Sequence, residues 1–313
     1  MRDLIGITVD ARDETELFSD VLDDIGYLQI YVPPETVSID NFKELDQKKI
    51  IHVAHHFHGV NIVNGLTDEN KKGIDNAIEV AEKLSAEFLL IHAGYHKNHK
   101  LERRTNPNID SNLLTLKDLF NFKQDYEFET NMKIEDVLHY MMTNSSSKLI
   151  VENSPYWVKK EYFGEFDNTF SPFMLRFDEY VQSFCLDTRS MIVGENNWSD
   201  DQINPPIAYK KIISEGEHNK HLLYLKMFLE RSPELIHFGP GDFNDLKREI
   251  GPFSKDSDDI IKELVPYSKS NKVPIILEEV ISYKEGVDYL KKKFEEHCNL
   301  KYVNEHLLYP KLV

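Results

Sequence analysis

Eight short apolar runs punctuate the chain, most of them without polar alternation: Leu4–Val9, Gly26–Val32, Ile50–His56, Phe88–Gly94, Lys148–Glu152, Phe184–Thr188, Leu235–Gly239 and Pro274–Val280. Runs of this length and kind read as strands buried on both faces. The segments between them change period. Ile74, Ala77, Ile78, Ala81 and Leu84 recur at helical spacing, in a helix predicted from Thr67 to about Ala86. An acidic amphipathic helix is predicted over Asp13–Ile25, and a helix start after Pro33-Pro34 with Ser38 or Asp40 as its cap. Further helices are expected over Ile134–Asn144, around 172–182, 207–231 and 256–270, and from Lys284 to about Cys298. Tyr95 to Asn131 is too long for an ordinary strand–helix connection and is expected to be functional or to hold its own structure. The tail from His306 to Val313 has no assignment.

Eight strands alternating with helices predict an α/β chain folded as a (β/α)8 TIM barrel. The expectation is one domain over residues 1–313, with an enlarged loop at about 95–132. A doubly wound open sheet is the alternative, but no G-x-G-x-x-G turn follows any strand.

Composition narrows the partners. The 313 residues are 41% hydrophobic and 29% charged, as in a soluble globular protein, and carry a formal charge of −17. Such a surface disfavours nucleic acid and anionic membrane unless a local basic patch or bound metal offsets it. Two cysteines, Cys185 and Cys298, imply no disulfide framework and point to an intracellular chain. The N-terminal stretch lacks a signal-peptide core, and no apolar run approaches the roughly 18 residues of a membrane span. A cytoplasmic protein without a membrane partner is expected; the oligomeric state is left open.

The C-terminal ends of the strands carry the chemistry. Strand three is read as ending at His55, followed by His56 and His58; the next strands end in His92, Glu152, Asp187, His237 and Glu278. This is the face on which barrel active sites lie. Alone, a strand histidine is often a hydrogen-bonded core residue, and a strand-end acid can cap the next helix. Together they demand more, because carboxylates converging out of water repel and are costly to desolvate. A bound divalent cation is the simplest remedy, and imidazole with carboxylate suits zinc, manganese or iron.

The same residues resemble the endonuclease IV family among the xylose-isomerase-like barrels. His55-His-Phe-His-Gly-Val-Asn61-Ile is similar to that family's His-x-x-Tyr-x-x-Asn-Leu segment, with His58 in the tyrosine's place. Ile91-His92-Ala-Gly-Tyr-His96 is similar to its His-Pro-Gly-x-His, and Val151-Glu152-Asn153 to its Glu-Asn. Leu186-Asp187-Thr188, Ile236-His237 and Leu277-Glu278 resemble its Asp-Thr, strand-seven His and final Leu-Glu. The resemblance implies His55, His92, Glu152, Asp187, His237 and Glu278 as metal ligands, with Glu152 bridging two metals.

Departures accompany the likeness. The histidine expected three residues after Asp187 is Ser190, and the family's Asp-x-His after strand seven becomes Asp245-Leu-Lys247. A third metal is therefore not expected. The loop after strand two, Val32-Pro-Pro-Glu-Thr-Val-Ser38, is short and carries no arginine to enter DNA.

Two chemistries fit. In metal-assisted phosphoester hydrolysis, of the phosphodiesterase or abasic-endonuclease kind, two zinc ions (or manganese or iron) sit between His55, His92 and Glu152 and between Asp187, His237 and Glu278. In sugar isomerisation or epimerisation, Glu152, Asp187, His237 and Glu278 bind one manganese, magnesium or cobalt ion, and Glu152 and Glu278 exchange protons across the substrate. Under both, Glu152 and Glu278 are the catalytic candidates. His58, Asn153, Asp245 and Lys247 are the candidate substrate contacts. The expected partner is a phosphorylated or sugar small molecule. DNA would need a basic track, for which Lys97-Asn-His-Lys-Leu-Glu-Arg-Arg104 is the best candidate. A non-catalytic barrel stabilised by its metal is the third reading. Tyr156-Trp157, Tyr162-Phe163 and Trp198 either wall a pocket or pack the loops.

Overall fold

The computed structural model describes residues 1–35, 37–54, 60–92, 95–97, 133–153, 162–164, 183–191, 222, 225–226, 228–229, 232–239, 255–278, 280 and 282–297. Within them the strands are β1 (Ile5–Asp10), β2 (Tyr27–Val32), β3 (Lys48–Val53), β4 (Phe88–His92), β5 (Tyr95–Lys97), β6 (Lys148–Glu152), β7 (Tyr162–Gly164), β8 (Ser183–Asp187), β9 (Leu235–Phe238) and β10 (Ile275–Leu277). Eight of them close a barrel in the order β1-β10-β9-β8-β6-β4-β3-β2, and every pairing is parallel. This is the expected (β/α)8 TIM barrel.

Strand alternation sorts the core into two parts. Leu28, Ile30, Ile51, Leu89, Ile91, Leu149, Val151, Leu186, Ile236 and Phe238 join the larger cluster, which includes the helix side chains. Their neighbours Tyr27, Ile50, Phe88, Leu90, Ile150, Cys185, Leu235 and Ile276 form a second cluster, the filling of the barrel itself. Gly6 completes that filling by its lack of a side chain. A Cβ there would lie 2.4 Å from Ile276 Cδ1 and 2.8 Å from Tyr27 Cβ, so β1 gives the lumen to its two neighbours.

The helices include α1 (Asp40–Lys43), α2 (Asp68–Lys83), α3 (residues 133–144), α4 (Lys255–Asn271) and α5 (Tyr283–Glu296). Thr67 caps α2 by accepting a hydrogen bond from the Asn70 amide, and Ser282 caps α5 in the same way from Glu285. No described helix is long and apolar enough to cross a membrane.

Three expectations shift locally. The helix predicted over Asp13–Ile25 is two 3-10 segments, Thr15–Leu17 and Ser19–Asp24. Its would-be first turn is tied up instead: the Asp13 carboxylate accepts from the Asp10 amide at 2.8 Å, and side-chain bonds of this kind compete with helix. At α1 the N-cap residue is Ile39 and no side chain caps it; Asp40 instead holds Lys43 at 2.6 Å and Ser38 at 3.4 Å. Finally, β3 starts at Lys48 and ends at Val53, short of His55.

A feature absent from the expectations sits beyond β4 and β6. The chain leaving each strand returns as a short antiparallel pair, β5 against β7, with Tyr95 opposite Gly164 and Lys97 opposite Tyr162. The connections that follow His92 and Glu152 are thereby joined.

Candidate metal centre

Moving two residues along each strand from the apolar filling changes its character completely. Tyr27 gives way to Gln29, Ile50 to His52, Leu90 to His92, Ile150 to Glu152, Cys185 to Asp187, Leu235 to His237 and Ile276 to Glu278. A period of two keeps all of these on the inward face. The barrel is thus apolar in one layer and almost entirely polar in the next.

Glu152, at the end of β6, is the hub. Its Oε2 lies 3.3 Å from His52 Nε2 and 3.4 Å from His92 Nε2. Its Oε1 lies 3.1 Å from His237 Nδ1, which is 3.2 Å from Glu278 Oε2. Two donor groups result, His52 with His92 and Glu152, and Glu152 with His237 and Glu278; the donor atoms of each lie within 4.8 Å of one another. The His52 ring stands 5.0 Å from that of His92 and 6.3 Å from that of His237, centroid to centroid.

These separations suit a shared cation. Zinc bonds imidazole nitrogen and carboxylate oxygen at about 2.0–2.2 Å, so two ligands of a tetrahedral ion stand about 3.3 Å apart. The observed 3.1–3.4 Å spacings fall on that value. The donors are also in the right protonation states. Burial pushes His92 down to about 4, so its ring is neutral at neutral pH. Burial alone would raise Glu152, but His92 and His237 outweigh it and hold the carboxyl well below its ordinary range. His237 is the exception. Despite its burial, Cys185, Glu278 and Glu152 hold its proton well above the ordinary histidine range, so without a metal this ring supplies the balancing cation. His52 is oriented from behind: its Nδ1 is 2.9 Å from the Val53 carbonyl, which can only accept, so Nδ1 carries a hydrogen and Nε2, 3.3 Å from Glu152 Oε2, is the nitrogen placed to bind a cation shared with that carboxylate.

Asp187, expected among the ligands, has both oxygens engaged by the helical turn over 188–191 that follows β8. Oδ1 accepts from the Arg189 amide at 2.9 Å, and Oδ2 accepts from the Ser190 hydroxyl. It caps that turn, and it belongs to neither donor group among the described residues. Burial, with repulsion from Glu152 and Glu278, pushes its carboxyl up to about 6. Asn153, expected as a substrate contact, is buried and clamps β6 to β8: its Nδ2 donates to the Asp187 carbonyl at 2.9 Å, and its Oδ1 accepts from the Asp187 amide at 2.6 Å. His55, His58, Asp245 and Lys247 lie outside the described residues, as do Trp157, Trp198 and all of the basic run but Lys97.

His52 was not among the predicted ligands. Strand parity is the signal that finds it, because His52 stands to Ile50 as Glu152 stands to Ile150.

No protein-family model matches the sequence, and no curated protein matches it. Solved structures do match, over nearly the whole chain. Endonuclease IV from Thermus thermophilus superposes with a TM-score of 0.52 at 17% identity, covering 94% of this chain and 98% of that one. A xylose isomerase domain protein from Planctomyces limnophilus gives 0.53 at 10% identity, covering 95% and 98%. The fold is that of the endonuclease IV and xylose-isomerase-like barrels. An IOLI protein with a bound zinc atom shares it, with a TM-score of 0.50 at 9% identity over 95% of this chain and 99% of that one. At such identities the likeness speaks for the barrel. The case for a metal in it rests on the donor geometry above.

Proposed function

We propose that this barrel is a divalent-metal-dependent enzyme that hydrolyses phosphoesters, with two zinc-class ions held on either side of Glu152. The carrying observation is that two largely buried imidazole–carboxylate groups share this one carboxylate at ligand-like spacing. His52, His92 and Glu152 would hold one ion; Glu152, His237 and Glu278 would hold the other. Bound there, the ions supply a nucleophile near neutral pH and charge to stabilise phosphoryl oxygens. Glu152 would be shared by both ions, and Glu278 is the more open of the two carboxylates, its side chain 22% exposed against 2% for Glu152. The zinc-bearing IOLI structure and endonuclease IV share the fold and are in keeping with this reading. With a charge of −17, the favoured substrate is a small phosphorylated molecule rather than duplex DNA, and the compartment is the cytoplasm.

Sugar isomerisation is the second reading, favoured by one observation. Glu152 and Glu278 flank the same His237 nitrogen, the arrangement a single ion with two acid–base carboxylates needs. Metal counting separates the two. Purified, metal-replete protein should carry close to two transition-metal ions per chain and hydrolyse a generic phosphodiester, with turnover lost in Glu152→Gln. One labile manganese or magnesium ion and no hydrolysis transfers the assignment to the isomerase. Absence of metal under replete conditions removes both.

A further inference from the structure

Gln29 is completely buried at the second inward position of β2, and all of its amide hydrogen-bonding runs into the polar layer. Its Nε2 donates to Glu278 Oε1 at 2.8 Å and to Thr8 Oγ1 at 3.0 Å, while its Oε1 lies 2.8 Å from His237 Nε2. The orientation of this amide follows from its partners. An ionised carboxylate only accepts, so the amide nitrogen must face Glu278. The amide oxygen is then left to face His237, and because it too only accepts, His237 must carry a hydrogen on Nε2. Without a metal the ring also carries a hydrogen on Nδ1, toward the two carboxylates; once a cation takes that proton's place the imidazole is neutral, keeps its one N–H on Nε2 and has its lone pair on Nδ1. That atom is the one 3.1 Å from Glu152 Oε1 and 3.2 Å from Glu278 Oε2.

We infer that Gln29 is the positioning residue of the Glu152–His237–Glu278 half-site: it selects the Nε2–H tautomer of His237 and so directs metal binding to Nδ1. The role rests on the metal-centre reading above and adds a residue that the resemblance did not supply. It also makes the two half-sites opposite in hand. His52 is oriented by a backbone carbonyl on Nδ1 and offers Nε2, whereas His237 is oriented by a side chain on Nε2 and offers Nδ1. Only the second arrangement can be removed by mutation. Gln29 also restrains Glu278, so it ties together two of that ion's three ligands. Outer partners of this kind are worth about 10–100-fold in metal affinity.

The test uses the full-length chain labelled with 15N-histidine and loaded with zinc, with His237 assigned against His237→Gln. Long-range proton–nitrogen correlation should show His237 with its hydrogen on Nε2 and a metal-shifted Nδ1. In Gln29→Leu, titration with zinc should show one site weakened by roughly 10–100-fold and the other unchanged. Gln29→Glu, which keeps an acceptor toward His237, should retain the Nε2–H pattern. A hydrogen on Nδ1 in the zinc-loaded native chain overturns the role even if Gln29→Leu fails to fold. So does Gln29→Leu with both zinc affinities intact. In either case the metal centre stands without it. A native chain that takes up no zinc brings down the metal centre and this role together.

Discussion

The lumen of this barrel has two layers drawn from the same strands, two residues apart, and they have opposite physics. The lower layer, from Tyr27 round to Ile276, is all but apolar and fully packed. The upper one, from Gln29 round to Glu278, holds three histidines and three acids, Glu152 and His237 among them fully buried. One layer lowers the free energy of folding by leaving water; the other raises it, since charges taken from water cost several kcal/mol each even after partial compensation. The lower layer is a floor that excludes water and fixes backbone spacing. The upper layer is held in an unfavourable arrangement by that floor, and under the proposed function it would gain stabilisation from bound metal. Sites commonly concentrate strain in this way.

The sharpest break of the contrast is Glu152→Gln. The side chain keeps its shape but loses the charge shared by both donor groups. Metal content should fall from close to two ions to none under stoichiometric zinc, an affinity loss beyond the roughly 100-fold typical of outer partners. Far-UV circular dichroism should stay native. Retention of two tightly held ions by this variant would falsify the bridging role.

The floor should respond in stability rather than in metal content. Leu90 is fully buried in the lower layer, directly beneath His92 in sequence alternation. Leu90→Ala should lower the unfolding free energy by about 2–5 kcal/mol, measured by urea denaturation of metal-free protein. Metal stoichiometry measured below the unfolding transition should be unchanged. If this substitution instead released metal while sparing stability, the division into floor and site would be mistaken.

The division between layers also marks how far sequence reasoning could reach. Strand number, order and the inward acids at Glu152 and Glu278 were legible because an unalternating apolar run that ends in charge is what a barrel strand buried on both faces requires. His52 was not, because Val53-Ala54 prolongs the apolar run past it and moves the apparent strand end to His55. Counting the period of two from Ile50 would have found it. The uses made of Asn153 and Asp187 were hidden for a deeper reason. Each is set by partners across a strand seam or in a following turn, and such hydrogen bonds exist only once the barrel has closed.

The pH dependence of metal-free protein separates the layers further. His237 is raised above its unfolded value by the carboxylates and thiol around it, after burial has worked against its charge. Its contribution to stability is complete below the ordinary histidine range, near 6.5, and is lost as the pH rises through the folded value. Chelator-treated protein should therefore lose stability on the alkaline side, and zinc should abolish that loss by replacing the imidazolium as the cation between Glu152 and Glu278. His237→Gln should flatten the alkaline limb, whereas Leu90→Ala should lower the whole curve without changing its shape. A metal-free curve flat from neutral to alkaline pH would contradict this account.

The smallest expected effect lies at the rim of the upper layer, where Ser190 stands in the position of a family histidine. Its hydroxyl donates to Asp187, which with the Arg189 amide satisfies a carboxylate that burial and its neighbours have pushed up to about 6. If Asp187 serves the turn rather than the metal, Ser190→Ala should cost about 1 kcal/mol of stability, the usual scale of one net hydrogen bond. Both zinc affinities should stay put. Calorimetric titration with zinc checks this directly: a weakened site in Ser190→Ala would show that Asp187 reaches an ion, and would move it from the turn into the centre. An unaltered isotherm with a slightly lowered melting temperature keeps the upper layer's ligands to those that surround Glu152.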